Sequence, residues 1–322
     1  MGPQPSSTQV NDILVDPGTL AHLAMVIEVS TSPKPGLVCP DNQGAHQDMD
    51  YQLFLTSANS LKPYLMNCYL IGQNLATLDP PSVFKALKTA GKEADQTMLT
   101  ATSGVNTHKG AIFTLGILVG ASGILAANNQ PITPKTICQT AALMVEGIVD
   151  KELIKLRQAV PNRPLSAGEK LFLMHGTMGI RKEAQDGFPT ALRAFESLRY
   201  LKSIGISLET ALPQIFLGIL VEADDSNLIW RGGVKGLKTA KQEAIKALKL
   251  GGMLTAEGRY VIDSMVDKFV VLNLSPGGSA DLLAAAIFFL LIDRIEQLCD
   301  PDLKRLLGQK TKGHNEQRPL LN

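Results

Sequence analysis

The sequence predicts an all-α fold, a single compact multi-helix domain built around one buried helix. Three observations carry this. Apolar residues recur at helical spacing through most of the chain. Alternating short segments and hairpin dipeptides between β-branched runs are missing from the sequence. Residues 110–127 form an uncharged run of 18, rich in Gly and Ala (Gly116, Gly120, Gly123). Such a run reaches the lower edge of a membrane span, but it has no aromatic belt and no second run of its kind. A helix covered on all sides by other helices fits it better.

The elements follow in order. Asp16-Pro17 reads as an N-cap with proline at the first helical position, and Leu20, Leu23, Ala24 and Ile27 then share one face. Helical periodicity returns over 47–70, 82–102, 108–127, 136–158, 190–203, 208–222, 238–249, 256–272 and 279–297. Ser82 after Pro80-Pro81, and Thr133-Pro134, mark two of the starts. Residues 159–168, with Pro161, Pro164 and Gly168, read as a long loop. Residues 1–15 and 308–322 are polar and are expected to be mobile, which leaves 16–307 as the helical catalytic domain.

Composition narrows the function classes. Hydrophobic residues make up 45% and the net charge is +1, so this is a globular chain without the basic face that a duplex binder needs. The N-terminus lacks a secretion signal, and Cys39, Cys68, Cys138 and Cys299 show no zinc spacing. Free thiols in the cytoplasm are the expectation, with neither membrane nor nucleic acid as partner.

Polar residues gather in five short loops, each beside an apolar helix. The first runs from Ser32-Pro33-Lys34-Pro35-Gly36-Leu37 to His46-Gln47-Asp48-Met49, with Lys34 projecting from it. Glu28 precedes it on an apolar helix and is a candidate acid or base. His46 and Asp48 sit where the next helix is expected to begin, as candidate caps or catalytic groups. The second, Gly104-Val105-Asn106-Thr107-His108-Lys109-Gly110, opens the buried helix. There Asn106 or Thr107 is the expected cap and Lys109 a point charge for phosphate. The third, His175 to Pro189, offers the guanidinium fork of Arg181. The fourth, Asp224-Asp225-Ser226-Asn227-Leu228-Ile229-Trp230-Arg231-Gly232-Gly233-Val234, has oxygen ligands suited to Mg²⁺, then Arg231 with Gly232 and Gly233 for phosphate oxygens. The fifth, Ser275-Pro276-Gly277-Gly278-Ser279-Ala280-Asp281, is a backbone cradle for an anion, with Asp281 as a metal ligand or a complement to the helix dipole. No Walker A motif occurs. Together these loops suggest a Mg²⁺–nucleotide enzyme outside the P-loop and Rossmann classes. The residues alone leave open a metal-dependent nucleotide glycohydrolase and a non-enzymatic helical scaffold.

In this order the loops resemble the triphosphoribosyl-dephospho-coenzyme A synthase family, which serves citrate lyase and malonate decarboxylase. The resemblance rests on Pro33-Lys34-Pro35-Gly36-Leu37-Val38, Asn42-x-Gly44-Ala45-His46-x-Asp48-Met49, Asn106-Thr107-His108-Lys109-Gly110, Glu183-Ala184-x-x-Gly187-Phe188-Pro189, Asn227-x-x-x-Arg231-Gly232-Gly233 and Ser275-Pro276-Gly277-Gly278-Ser279-Ala280-Asp281. It departs from the family at Cys39-Pro40, at Ile180-Arg181-Lys182 and at Ser226. The resemblance implies transfer of the triphosphoribosyl group of ATP to the 2′-hydroxyl of 3′-dephospho-CoA, with release of adenine. An α-linked product from a β-nucleoside implies a single inverting displacement.

The roles the resemblance implies are as follows. Glu28 or Asp48 is the base or the oxocarbenium stabiliser, and His46 or His108 assists the leaving group. Lys34, Lys109, Arg181 and Arg231 hold the triphosphate. Asn42, Asn106, Thr107, Glu183, Asn227, Gly232, Gly233, Ser275, Gly277, Gly278 and Ser279 line the substrates. Asp224, Asp225 and Asp281 hold Mg²⁺ directly or through water. The partners it implies are an acyl carrier protein and its prosthetic-group transferase, with a homodimer as a further expectation.

Overall fold

The computed structural model describes residues 16–158 and 161–293. Among them are 13 α-helices and no strand. The expected mobile ends, and the expected helical residues past 293, lie outside the described residues. So do residues 159 and 160, the first two of the predicted 159–168 loop.

The first four helices are α1 (Pro17–Ser30), α2 (Tyr51–Asn74), α3 (Pro80–Ala101) and α4 (Lys109–Ala127). Asp16 caps α1 as expected, its carboxylate accepting from the Thr19 amide. Asp79, not Ser82, caps α3, and Ser82 donates both its amide and its hydroxyl to Asp79. Asp50 caps α2, so the helix starts four residues later than the periodicity suggests. His46 and Asp48 therefore lie in the preceding loop and not in a first helical turn.

The predicted 136–158 helix is broken. α5 (Pro134–Met144) ends before Gly147, whose φ of 71° halts it, and α6 (Ile148–Glu152) leads into a 3₁₀ turn over Ile154–Arg157. Two short helices escaped the periodicity: α7 (Ala167–His175) and α8 (Gly179–Gln185). The first carries a legible signal, a capping box in which the Ser166 hydroxyl and the Glu169 carboxylate serve each other's amides.

The remainder comprises α9 (Pro189–Ser203), α10 (Leu208–Glu222), α11 (Ser226–Lys249), α12 (Ala256–Val271) and α13 (Gly277–Asp293). The fourth predicted loop is the first part of α11, which kinks at Gly233, where φ is 64° and ψ is −173°.

α4 and α13 are the centre, apolar all round and buried along most of their length. α4 is the one described helix long and apolar enough to cross a membrane, and its apolar surface is spent on α2, α3, α5 and α13. Close approach is possible because both helices of the α2–α4 pair carry glycine at the crossing. A Cβ on Gly72 would lie 2.1 Å from the Gly120 carbonyl oxygen, and one on Gly123 would lie 2.2 Å from that of Tyr69. The packing aims the N-termini of α4, α11 and α13 at one cavity.

Candidate active site

The cavity encloses about 830 Å³. Of the predicted site residues, all but Asn42, Asp48, Gly232, Gly233 and Ser279 line it. The five polar segments therefore converge, although two of the predicted loops are not loops throughout: the third contains α8 and the fourth opens α11.

At its floor lies a buried ion pair. The Lys34 ammonium donates to the Glu28 carboxylate and, at 2.7 Å, to the Glu28 carbonyl; the two residues are 2% and 6% exposed. Lys34, expected to reach for phosphate, is thus committed to Glu28. Its amine is a second donor at the end of α1, since the Glu28 carbonyl also accepts from the Thr31 amide at 3.0 Å.

His46 lies on the wall. Its Nε2 is 2.8 Å from the Ser275 hydroxyl, its Nδ1 is 3.4 Å from the Arg231 guanidinium, and Asp48 is 3.9 Å away. Burial and then Arg231 push the imidazole down to about 4, so the ring is neutral at physiological pH. Arg231 also donates to the Ala45 carbonyl at 2.8 Å and to Asn273 at 3.1 Å. It staples the first loop to the turn before α13, which leaves less of its fork for phosphate than expected. Asp48 is largely exposed and off the cavity wall, whereas Glu28 lines it.

The carboxylates expected to hold metal part ways. Asp225 is 2% exposed, and its oxygens accept from the Asn227 and Leu228 amides and from the Ser279 amide and hydroxyl. It caps α11 and ties it to α13. Those four donors occupy its lone pairs, which corrects its assignment as a direct metal ligand. Ser279, expected against substrate, sits behind the wall as the donor to Asp225. Asp224 accepts a long contact, 3.4 Å, from the Gly179 amide. Asp281 lies against the first turn of α4, so close that a Cβ on Gly110 would fall 1.8 Å from its Oδ2. Burial, then the Glu28 and Asp225 charges, raise its carboxyl well above the usual range. Among the described residues no three His, Cys, Asp or Glu side chains form a ready metal cluster.

Other assignments become structural. Glu183 accepts from the Thr190 amide and hydroxyl, at 2.7 and 3.0 Å, and so caps α9, whose own N-cap Phe188 offers no side-chain acceptor. Asn42 folds its loop by accepting from the Gly44 amide. Gly232 is a packing position, where a Cβ would meet Leu274 at 2.5 Å, and Gly233 supplies the kink. The N-cap of α4 is His108, without a side-chain cap hydrogen bond, and not Asn106 or Thr107 as expected; Asn106 accepts from the Lys109 amide at 3.3 Å from the preceding turn. Lys109 reaches Asp95 at 3.4 Å.

The structure adds residues that loop motifs could not reveal. Lys88 and Lys92 project from mid-α3, and Glu152 from α6 bridges Lys88 and Arg181. Their helical periodicity marks them only as a polar face. Phe54, Tyr64, Phe84, Ile112 and Phe113 form an apolar side of the cavity, with Phe84 and Phe113 edge to face at 6.3 Å. The arrangement thus has a flat apolar side for a ring, glycine amides at the start of α13, cationic side chains and one unengaged carboxylate.

The chain is similar to several known proteins. Residues 15–300 match the family model for ATP:dephospho-CoA triphosphoribosyl transferase. A Citrobacter koseri protein, named a probable 2-(5''-triphosphoribosyl)-3'-dephosphocoenzyme-A synthase, is 39% identical over 280 residues, 87% of this chain and 91% of its own. The Klebsiella pneumoniae protein named 2-(5''-triphosphoribosyl)-3'-dephosphocoenzyme-A synthase is 36% identical over 297 residues, 87% of this chain and 96% of its own. A crystal structure from Archaeoglobus fulgidus aligns over 74% of this chain and 98% of its own, at 20% identity and a TM-score of 0.43.

Proposed function

The chain belongs to the ATP:dephospho-CoA triphosphoribosyl transferase family, and on that premise we propose how its cavity carries out the transfer. The reaction moves the triphosphoribosyl group of ATP onto the 2′-hydroxyl of 3′-dephospho-CoA and releases adenine. The observation that carries the reading is the convergence of the five motif loops on one cavity with an apolar side and a polar side.

The triphosphate takes the polar side. Gly277 and Gly278 present backbone at the start of α13, and Lys88, Lys92, Lys109 and Arg181 supply positive charge from α3, α4 and α8. Glu28 faces the reacting ribose as the carboxylate that stabilises oxocarbenium character or takes the acceptor's proton. Lys34 fixes its orientation.

Mg²⁺ belongs to the proposal. Asp281 fits it, because a carboxyl buried beside two other carboxylates gains most from a cation, and Asp224 lines the same wall. Mg²⁺ ordinarily needs only one or two protein carboxylates, since phosphate oxygens and water complete its shell. When bound it would neutralise phosphate charge there. Asp225 would act one shell out, by holding α11 and α13 together.

The product would serve as the prosthetic-group precursor of citrate lyase or malonate decarboxylase, passed by a separate transferase to an acyl carrier protein. Cytoplasmic action and homodimer formation, the latter through exposed apolar side chains such as Tyr260 and Val271, are part of the same proposal.

The test is mass spectrometry of purified protein with Mg²⁺, ATP and 3′-dephospho-CoA, each substrate omitted in turn. Adenine and a triphosphoribosylated coenzyme are expected only when both substrates are present. Adenine without the acceptor would replace transfer by hydrolysis. No adenine in any arm would remove the reading.

A further inference from the structure

We propose that Ser57 and Thr107 hold His108 in its neutral Nε2–H tautomer, and that this N–H donates to a ring nitrogen of the departing adenine. The inference rests on the transfer reaction above and adds Ser57, a residue outside every motif.

The geometry is a short relay. The Thr107 hydroxyl donates to the Ser57 hydroxyl at 2.6 Å, and the Ser57 hydroxyl is 2.8 Å from His108 Nδ1. A hydroxyl has one proton to give. Thr107 spends its own on Ser57, so the proton of Ser57 has His108 Nδ1 as its acceptor. A ring nitrogen that accepts is unprotonated, so the neutral ring carries its hydrogen on Nε2.

Nε2 is buried and has no partner, although His108 is only 5% exposed. Buried N–H groups are nearly always satisfied, so an orphan on a cavity wall is a place kept for a ligand. The neighbourhood says which ligand group. Phe54 stands edge-on to the imidazole at 4.9 Å, and Phe84, Ile112 and Phe113 line the same side. Flat apolar walls with one neutral donor suit a nucleobase nitrogen better than a phosphate, which calls for cations.

Burial, and then the Lys34 charge, lower the imidazole to about 3. His108 therefore offers a hydrogen bond and not a proton. In the displacement the C1′–N bond breaks with its electron pair passing to the base. The acceptor 2′-oxygen forms the new C1′–O bond, and the proton released by that hydroxyl ends on adenine. His108 keeps its own proton, and its hydrogen bond strengthens as charge grows on the base.

Nitrogen-15 NMR of the imidazole in the ligand-free protein reads the tautomer, with ATP as the binding probe. Wild type should show a protonated Nε2 whose signal shifts when ATP is added. Ser57→Ala and Thr107→Val should mix the tautomers. Each should lower kcat about tenfold or more while leaving KM for 3′-dephospho-CoA within about twofold. His108→Gln, whose amide is again a neutral donor, should retain more activity than His108→Phe. A protonated Nδ1 in wild type, an Nε2–H signal indifferent to ATP, or a Ser57→Ala protein with unchanged tautomer and kcat would each overturn the proposal. Failure of wild type to release adenine would instead remove the transfer reaction, because the tautomer is read without turnover.

Discussion

Glu28 and Lys34 face each other almost wholly out of water, where each charge is tolerable only because of the other. Removing one partner leaves the other buried and unpaired. Lys34→Ala should therefore cost about 3–5 kcal/mol of stability, and the double variant Glu28→Leu/Lys34→Met should recover most of that in urea denaturation. The two histidines on the cavity wall act through pH. Folding holds His46 at about 4 and His108 at about 3, against an ordinary value of 6.5. Below 6.5 the unfolded chain takes up protons on these rings that the folded chain refuses. Stability is therefore full above 6.5 and declines as pH falls towards 4. His46→Gln should flatten that decline, read as the urea midpoint against pH. At this scale the sequence marks the chemically able residues but not their employment. Asp225 and Glu183 both stand in motifs, and a capping carboxylate is indistinguishable from a ligand until its donors are seen.

Helix α4 shows what one element can disclose. Its lack of charge and its glycines announce a buried helix, but not its N-cap, His108. The helix that would meet those glycines is not announced. Gly72 of α2 and Gly123 of α4 let two backbones touch, a contact that a Cβ on either would force apart. Gly123→Ala should cost about 1–3 kcal/mol, measured as a lowered melting temperature, although alanine is the better helix former. α11 teaches the opposite lesson. Its paired glycines look like a loop, yet the helix runs through them with one kink, because Asp225 caps the start and the apolar face beyond Gly233 still has a core to bury.

The cavity exists only in the whole molecule, since its wall draws on α1, α3, α4, α8, α11 and α13. A ligand that bridges these elements stabilises them together. ATP with Mg²⁺ at about a hundredfold excess over its Kd should add about 2.7 kcal/mol and raise the melting temperature. Lys88→Ala should weaken that shift, and an unchanged shift would take α3 out of the triphosphate site. The sequence by itself determined the helical class, the buried α4, most helix starts and the five polar segments, though not that the third holds α8 and the fourth opens α11, because helical periodicity, capping and composition act within a few residues of one another. Only the tertiary structure decided that Lys34 serves Glu28, that Asp225 joins α11 to α13, that Lys88 and Lys92 reach the cavity from mid-helix, and that Ser57 meets His108. Those pairings depend on which faces pack together, and packing joins residues that no local pattern relates.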